Sequence, residues 1–324
     1  MSTKPLQHEL VLAGLDGANP LGFLAALGAL RTATRAFHPR PVRMRWEQHG
    51  GWRPVLSSPV DTPDALADAL HNCLTQPHAC ETCGKSHPHA CALCVGDDLA
   101  LPSETFREHA MSFRAANHEA AAFLAAFGSD AVTTTNSEKQ PVIQDTAFRT
   151  MSGAGHQHFL KFARNICSAC TRDQLKRDMF NTWRYADPVQ NHTLRLDPLD
   201  DARYALRWSD PSGDPTRKKR GSIYGANRLA IEALPLFPCV PRGGTLRTAG
   251  FRQRRGTDGR SDVRLCWPIW TANLSLSAAR STLTLPAAGS ETAEAIRQRG
   301  IAARFESRRL TIGKFRCFSP ASPV

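Results

Sequence analysis

Leucines three residues apart set the first clear pattern in the chain: Leu21, Leu24, Leu27 and Leu30 form an apolar stripe that predicts a helix over 21–37. Asn19 followed by Pro20 marks its start, since Asn accepts from free first-turn amides and Pro at the first helical position loses no hydrogen bond. Gly22 and Gly28 permit close approach by another element, so core packing is the expected role of this helix. The polar turn at 16–19 offers a second reading, a helix N-terminus set against a phosphate. At 41–60 the period changes to two. Val42, Met44 and Trp46 alternate with charged residues ahead of Gly50 and Gly51, which predicts strands joined by a turn.

A short helix over 64–74 follows, then alanine-rich helix over 103–127, a polar loop over 128–140 and helix again over 155–183. Beyond that the pattern predicts strands at 194–196, 204–208, 246–251, 263–267, 281–285 and 310–318, with helix at 229–234. The expected fold is α+β, mixed helices and antiparallel strands with a small zinc-knuckle insertion. Four segments are expected: an N-terminal α/β segment (1–72), the zinc-binding insertion (73–98), a mainly helical region (99–192) and a basic, strand-rich region (193–324).

The insertion carries the strongest local chemistry. Cys80-x2-Cys83 and Cys91-x2-Cys94 are two tight turns that each present two sulfurs on one side, and Gly84, Ser86 and Pro88 between them let the chain reverse. Four thiolates fill a tetrahedral shell and leave no position for a catalytic water, so the expected cofactor is a structural zinc in a four-cysteine knuckle. His87 and His89 lie inside the loop and can replace a sulfur; His78 is a further alternate. A disulfide framework is the competing use of these thiols, disfavoured because no leader pattern precedes them. Cys167-x2-Cys170 supplies half a shell and reads as buried thiols, as do Cys73, Cys239, Cys266 and Cys317.

Charge adds a partner class. The 324 residues hold 41 Lys+Arg against 29 Asp+Glu, a formal charge of +12, which favours a polyanion. Arg217, Lys218, Lys219 and Arg220 form a basic loop that feeds a helix through Asn227 and Arg228. Arg247, Arg252, Arg254, Arg255 and Arg260 follow among glycines, where guanidinium groups and backbone amides can meet a phosphate backbone together. Phe251 or Tyr224 is placed to stack on an unpaired base. No apolar run approaches the roughly 20 residues of a membrane span, so a cytoplasmic protein without a membrane partner is expected.

Several stretches together resemble proteins of type I-G (formerly I-U) CRISPR loci, most of all their large-subunit-like components. They are Leu12-Ala-Gly-Leu-Asp-Gly-Ala-Asn-Pro-Leu-Gly-Phe-Leu-Ala-Ala-Leu-Gly-Ala-Leu-Arg31, Ser152-Gly-Ala-Gly-His-Gln157, Leu196-Asp-Pro-Leu-Asp-Asp-Ala-Arg-Tyr-Ala205, Gly225-Ala-Asn-Arg-Leu-Ala230 and Trp267-Pro-Ile-Trp270. The resemblance implies a non-enzymatic subunit of an RNA-guided Cascade complex that reads a PAM and holds DNA strands. Its implied partners are crRNA, target DNA, the other Cascade subunits and a helicase-nuclease recruited at the target. Two rivals stand beside it. A metal-dependent nuclease would gather His156, His158, His192, Asp197, Asp200 and Asp201 around a cation, although the two leading histidines suit a helix start and the paired aspartates a turn bonded to Arg203. An accessory scaffold protein of the same system would instead present apolar patches.

Overall fold

The computed structural model describes residues 7–136, 138–151, 157–188, 192–200, 221–255, 261–284, 293–312 and 315–324. The first elements are strand β1 (His8–Val11), helix α1 (Pro20–Ala36), strands β2 (Arg43–Gln48) and β3 (Trp52–Ser58) and helix α2 (Pro63–Thr75). Two short strands, β4 (His78–Ala79) and β5 (Ser86–His87), and a 3-10 turn at Cys91–Cys94 make up the cysteine segment. Then come α3 (Ser103–Ala116), α4 (His118–Phe127), β6 (Gly128–Thr135), β7 (Pro141–Asp145), α5 (Phe159–Ala169), α6 (Arg172–Phe180) and α7 (Tyr224–Ala233). The C-terminal part contains β8 (Cys239–Arg242), β9 (Thr245–Thr248), β10 (Phe251–Arg255), β11 (Ser261–Trp270), β12 (Leu274–Ser275) and α8 (Leu276–Thr282). It ends with α9 (Ala293–Gln298), β13 (Ile301–Ile312), β14 (Phe315–Phe318) and β15 (Ser322–Pro323). The class is α+β, and every strand pairing among the described residues is antiparallel.

Helix α1 is the centre of the molecule. The Asn19 carboxamide oxygen accepts from the Gly22 amide at 3.1 Å, as a cap must, while its nitrogen donates to Asp197 at 2.9 Å. From Pro20 through Ala33 every residue is buried, so a helix that reads as one-sided is enclosed all round. Helix α7 packs along it at a distance only glycine allows: a Cβ at Gly28 would stand 1.8 Å from the Leu229 carbonyl oxygen. On another side lies the sheet β1–β3–β2–β12. Phe23 stacks on Trp46 and Trp267, with ring centroids 5.7 and 5.5 Å away, and Trp270 meets Trp46 edge-on at 6.1 Å. The indoles of Trp267 and Trp270 donate to the carbonyls of Gly17 (2.7 Å) and Met44 (3.0 Å), which satisfies both polar tips inside the core. The first-turn amides of Gly22 and Phe23 are both spent on Asn19, which argues against the phosphate reading of the 16–19 turn.

Five expectations change. The helix over 103–127 divides at Asn117, whose amide closes α3 on Phe113 and whose side chain caps α4 at Ala120. The helix over 155–183 divides at Cys170 and Thr171, where Thr171 and Gln174 form a reciprocal capping box that starts α6. Residues 128–140, expected as a loop, form most of the β6–β7 hairpin, because Val132, Val142 and Ile143 turn inward between the threonines. Residues 194–196 make no strand, and Arg195 sits at φ 53°, a left-handed conformation incompatible with pairing. At 281–285 the described residues complete α8 and a turn. The expected strand at 204–208 lies outside the described residues.

The expected segment boundaries cross shared packing. Strand β12, at 274–275, pairs with β2 at 43–44, and α7 packs on α1. The buried apolar residues of α1, α4, α5 and α7 belong to one cluster with Leu265, Trp267, Ile269 and Trp270 of β11.

Candidate metal centre and basic surface

The cysteine segment folds as a knuckle on the β4–β5 pair, which aligns His78 with His87 and Ala79 with Ser86. Cys80 donates its amide to the Lys85 carbonyl at 3.0 Å, and Gly84 returns a bond to the Cys80 carbonyl at 2.9 Å. Gly84 holds φ 70°, the left-handed conformation that this reversal requires. Cys80, Cys83, His87 and Cys94 bring their ligand atoms within 4.8 Å of one another, close enough to share one metal ion. Burial raises the Cys80 thiol, yet the amides of Cys83 and Thr82 aimed at its sulfur outweigh that and draw it below the ordinary thiol value.

The four side chains that converge differ from the expected set of four cysteines. Cys91 is buried beside Cys80 but stands outside the tight group; it accepts from the Asn117 carboxamide at 3.7 Å. The 3-10 turn at Cys91–Cys94 explains the exchange, because it brings Cys94 into the group while Cys91 faces the α3–α4 junction. Burial, then hydrogen bonding to Cys80, pushes the Cys91 thiol up to about 11. His87 is the fourth side chain of the tight group. Its Nδ1 lies 3.0 Å from the His89 carbonyl, which only accepts, so Nδ1 carries the proton and Nε2 presents its lone pair 3.1 Å from Cys94 Sγ. His89 stacks flat on His87, with centroids 3.7 Å apart, and burial lowers its pKa to about 3, so it stays neutral beside the centre. Arg164 anchors the far end of the knuckle by donating to the carbonyls of Leu93 and Gly96.

The basic positions separate into three groups. Arg217, Lys218, Lys219, Arg220 and Arg260 lie outside the described residues, and Arg254 and Arg255 are described by backbone alone, on β10. Asn227 and Arg228 are a correction: both are fully buried within α7 and cannot reach a nucleic acid. Asn227 donates to Asp200 (2.9 Å) and accepts from the Leu194 amide; Arg228 pairs with Glu232 at 2.7 Å. Tyr224, offered as a stacking platform, is buried at the start of α7 with its hydroxyl on the Pro188 carbonyl at 2.6 Å. Phe251 is half-buried and packs edge-on against Phe148 at 4.7 Å.

The third group is at the surface. Registers on β10, β11 and β13 set Arg252 opposite Arg264 and Arg264 opposite Arg308, three arginines abreast on neighbouring strands. Like charges opposed in this way repel. Asp262, bonded to Arg264 (2.8 Å) and Arg308 (3.0 Å), and Glu306, bonded to Arg264, hold the row together. Sequence reasoning does not single out Arg264 and Arg308 as binding residues; their alternation with Asp262 and Glu306 in two strands is the signal that points to them.

The nuclease residues do not gather where they can be followed. His156 and Asp201 lie outside the described residues. Asp197 is enclosed by donors from Asn19, Tyr185 (3.1 Å) and the Leu199 amide (2.6 Å), and Asp200 by Thr193 (2.7 Å) and Asn227. Both tie α1 and α7 to the 193–200 segment. His192 stacks on Tyr224 at 5.2 Å, and His158 precedes the first residue of α5. Among the described residues the knuckle is the one group of at least three side chains whose ligand atoms converge for a metal. Cys167 and Cys170 are buried thiols, as expected, with burial pushing Cys167 up to about 11. No helix among the described residues is long and apolar enough to cross a membrane. No family model, curated protein or solved structure matches this chain.

Proposed function

We propose that this chain is a non-enzymatic nucleic-acid-binding subunit of a type I CRISPR surveillance complex, large-subunit-like, acting in the cytoplasm with crRNA, target DNA and the other Cascade subunits. The observation that carries the nucleic-acid part is the row Arg252, Arg264 and Arg308, which supplies planar donors at the spacing of adjacent strands. The positive balance of +12 supports the same reading. The CRISPR assignment rests on the resemblance of the five stretches together; three of them, the opening, the α7 and the Trp267-Pro-Ile-Trp270 stretches, meet in the α1–α7–β11 core and so carry the fold more than the contacts. In this reading the subunit contacts the flanking PAM and steadies strands, and a helicase-nuclease joins at the target.

The knuckle ion in this reading is zinc. Bonds of about 2.0–2.3 Å in a tetrahedral shell place ligand atoms roughly 3.3–3.8 Å apart, and three cysteines with one imidazole within 4.8 Å fit that shell. Zinc here is structural, closing a segment with few apolar side chains of its own.

Copurification of the tagged chain with the products of its neighbouring genes, followed by sequencing of bound RNA, tests the assignment. Recovery of crRNA with Cascade subunits is expected; a chain that purifies alone and without nucleic acid overturns it. Metal analysis tests the ligands: Cys80→Ser is expected to lose the one zinc per chain and Cys91→Ser to keep it. Loss of zinc from both variants would restore the set of four cysteines.

A further inference from the structure

On the other face of the arginine sheet, a cleft of about 460 Å³ opens between that sheet, the β6–β7 hairpin and β9. Its floor carries Phe251, Gln253, Val263, Arg309 and Arg316, and the registers put these on one face: Gln253 opposes Val263, while Arg309 and Arg316 stand diagonally across the β13–β14 pair. The walls add Asn136, Gln144, Asp145, Arg149 and Arg247.

The charge in this cleft is only partly met. Arg149 is neutralised by Asp98 and Asp145. Among the described residues Arg309 and Arg316 make no ion pair: Arg309 donates to the Ala147 carbonyl at 3.1 Å and Arg316 to the Arg149 carbonyl at 3.4 Å. Each guanidinium has five donors, so one neutral acceptor apiece leaves most of the fork unmet. The Nε atoms of both Arg149 and Arg309 are buried with no hydrogen-bond partner among the described residues, and Arg149 is only 8% exposed. Burial, reinforced by Arg316 and partly offset by Asp145, draws the Arg309 pKa down to about 10. An oxyanion seated between Arg309 and Arg316 supplies the missing acceptors.

The space is larger than a bare phosphate needs and falls in the size range of organic ligand sites, roughly 300–1,000 Å³. Gln144 spends its oxygen on the Leu246 amide (2.7 Å) and Asn136 its oxygen on the amides of Glu138 and Gln140, which leaves both side-chain NH2 groups as donors for a ligand. A second cleft of about 740 Å³ adjoins the first, shares Arg247, Thr248, Phe251 and Gln253 with it, and continues past Arg242 and the exposed Val240. Two joined basic clefts suit a polymer with repeating phosphates better than one small anion.

We propose that these clefts form a second nucleic-acid site that seats a single strand, with a backbone phosphate between Arg309 and Arg316, Arg247 bridging to the next cleft, and Asn136 and Gln144 donating to base edges. The strand identity rests on the nucleic-acid reading above; the anion seat stands on the unmet arginines alone. A seat recessed between hairpins suits a single strand, whereas a duplex would meet the outer row of Arg252, Arg264 and Arg308 instead.

The test is anisotropy of a labelled short oligothymidylate with the full chain, with Arg316→Gln, Arg316→Lys and Arg309→Gln, across a salt series, with melting temperature as the folding control. Arg316→Gln is expected to weaken strand binding about tenfold and to lower the salt slope by about one, while Arg316→Lys keeps the slope and loses only part of the affinity. If Arg309→Gln does not fold, the two Arg316 variants carry the test by themselves. Wild-type binding that Arg316→Gln leaves unchanged in affinity and slope overturns the cleft and leaves the nucleic-acid reading standing on the outer row. A wild-type chain that binds no strand overturns both. Competition separates the ligand classes: a nucleoside monophosphate that displaces the strand at lower concentration than inorganic phosphate supports a nucleotide seat, and equal potency overturns it.

Discussion

Arg31 and Arg228 inside the helical core, and Arg309 and Arg316 in the sheet cleft, are the same side chain under opposite conditions. In the core, Glu232 receives Arg31 (2.7 Å), Arg35 (3.2 Å) and Arg228, and Glu119 receives Arg31 (2.6 Å) and Arg35 (3.1 Å). That network is closed, and the guanidiniums lock α1, α4 and α7 together. In the cleft the acceptors are neutral carbonyls and the network is open. The count of arginines is therefore a poor guide to binding; what matters is whether the fold delivers a carboxylate to each one. Two acidic residues separated from Arg31 by 88 and 201 positions decide its role.

Breaking the closed network gives the largest expected effect. Glu232→Gln leaves Arg31 and Arg228 buried with reduced compensation and is expected to cost about 3–5 kcal/mol, measured by chemical denaturation. Replacing Arg228 and Glu232 together by apolar residues of similar volume is expected to recover much of that loss; a double variant as unstable as Glu232→Gln would refute the account of the network.

The next effect is a pH slope in the closed half. Burial pushes the Asp200 carboxyl up to about 7 and Asp178 up to about 6, against about 3.9 in an unfolded chain. Between those values the folded protein binds more protons, so stability falls as pH rises from about 4 to about 7, by up to ~1.4 kcal/mol per unit for each group. Asp200→Asn removes its share, so its denaturation midpoint is expected to vary less between about pH 4.5 and 7.5 than that of the wild type, at unchanged ionic strength. An equal pH dependence would place the proton elsewhere.

The smallest effect sharpens the comparison from the open side. Arg316→Gln removes a cation that repels Arg309 and makes no ion pair among the described residues, so stability is expected to stay within about 0.5 kcal/mol of wild type or to rise. A loss of about 2 kcal/mol or more would mean that Arg316 belongs to the architecture after all.

The sequence shows what is local. The Asn19–Pro20 start of α1, the Gly28 approach to α7 and the convergence of Cys80, Cys83 and Cys94 are each decided within a few positions, and the structure agrees with them. Breaks at Asn117 and Thr171 are also local, but a strong alanine or amphipathic run masks a single capping residue. Outcomes set by distant partners are less legible. Arg228 reads as part of a basic loop until Glu232 and α1 enclose it, and His87 displaces Cys91 because a 3-10 turn, absent from the Cys-x2-Cys pattern, rotates one sulfur toward Asn117. The cleft is invisible in the sequence for the same reason, since Arg309 and Gln144 meet only after two hairpins and a sheet have formed.

The contact of Gly28 with Leu229 also sets a clock. About 200 residues separate the end of α1 from the end of α7, so at roughly 5–20 residues per second a ribosome leaves α1 without its mate for some 10–40 s. Through that interval α1 has the early sheet and α2 beside it but not α7. A nascent chain arrested before Tyr224 is expected to be held by chaperones or to aggregate, and one released after Trp270, which completes the aromatic cluster around Phe23, to escape both.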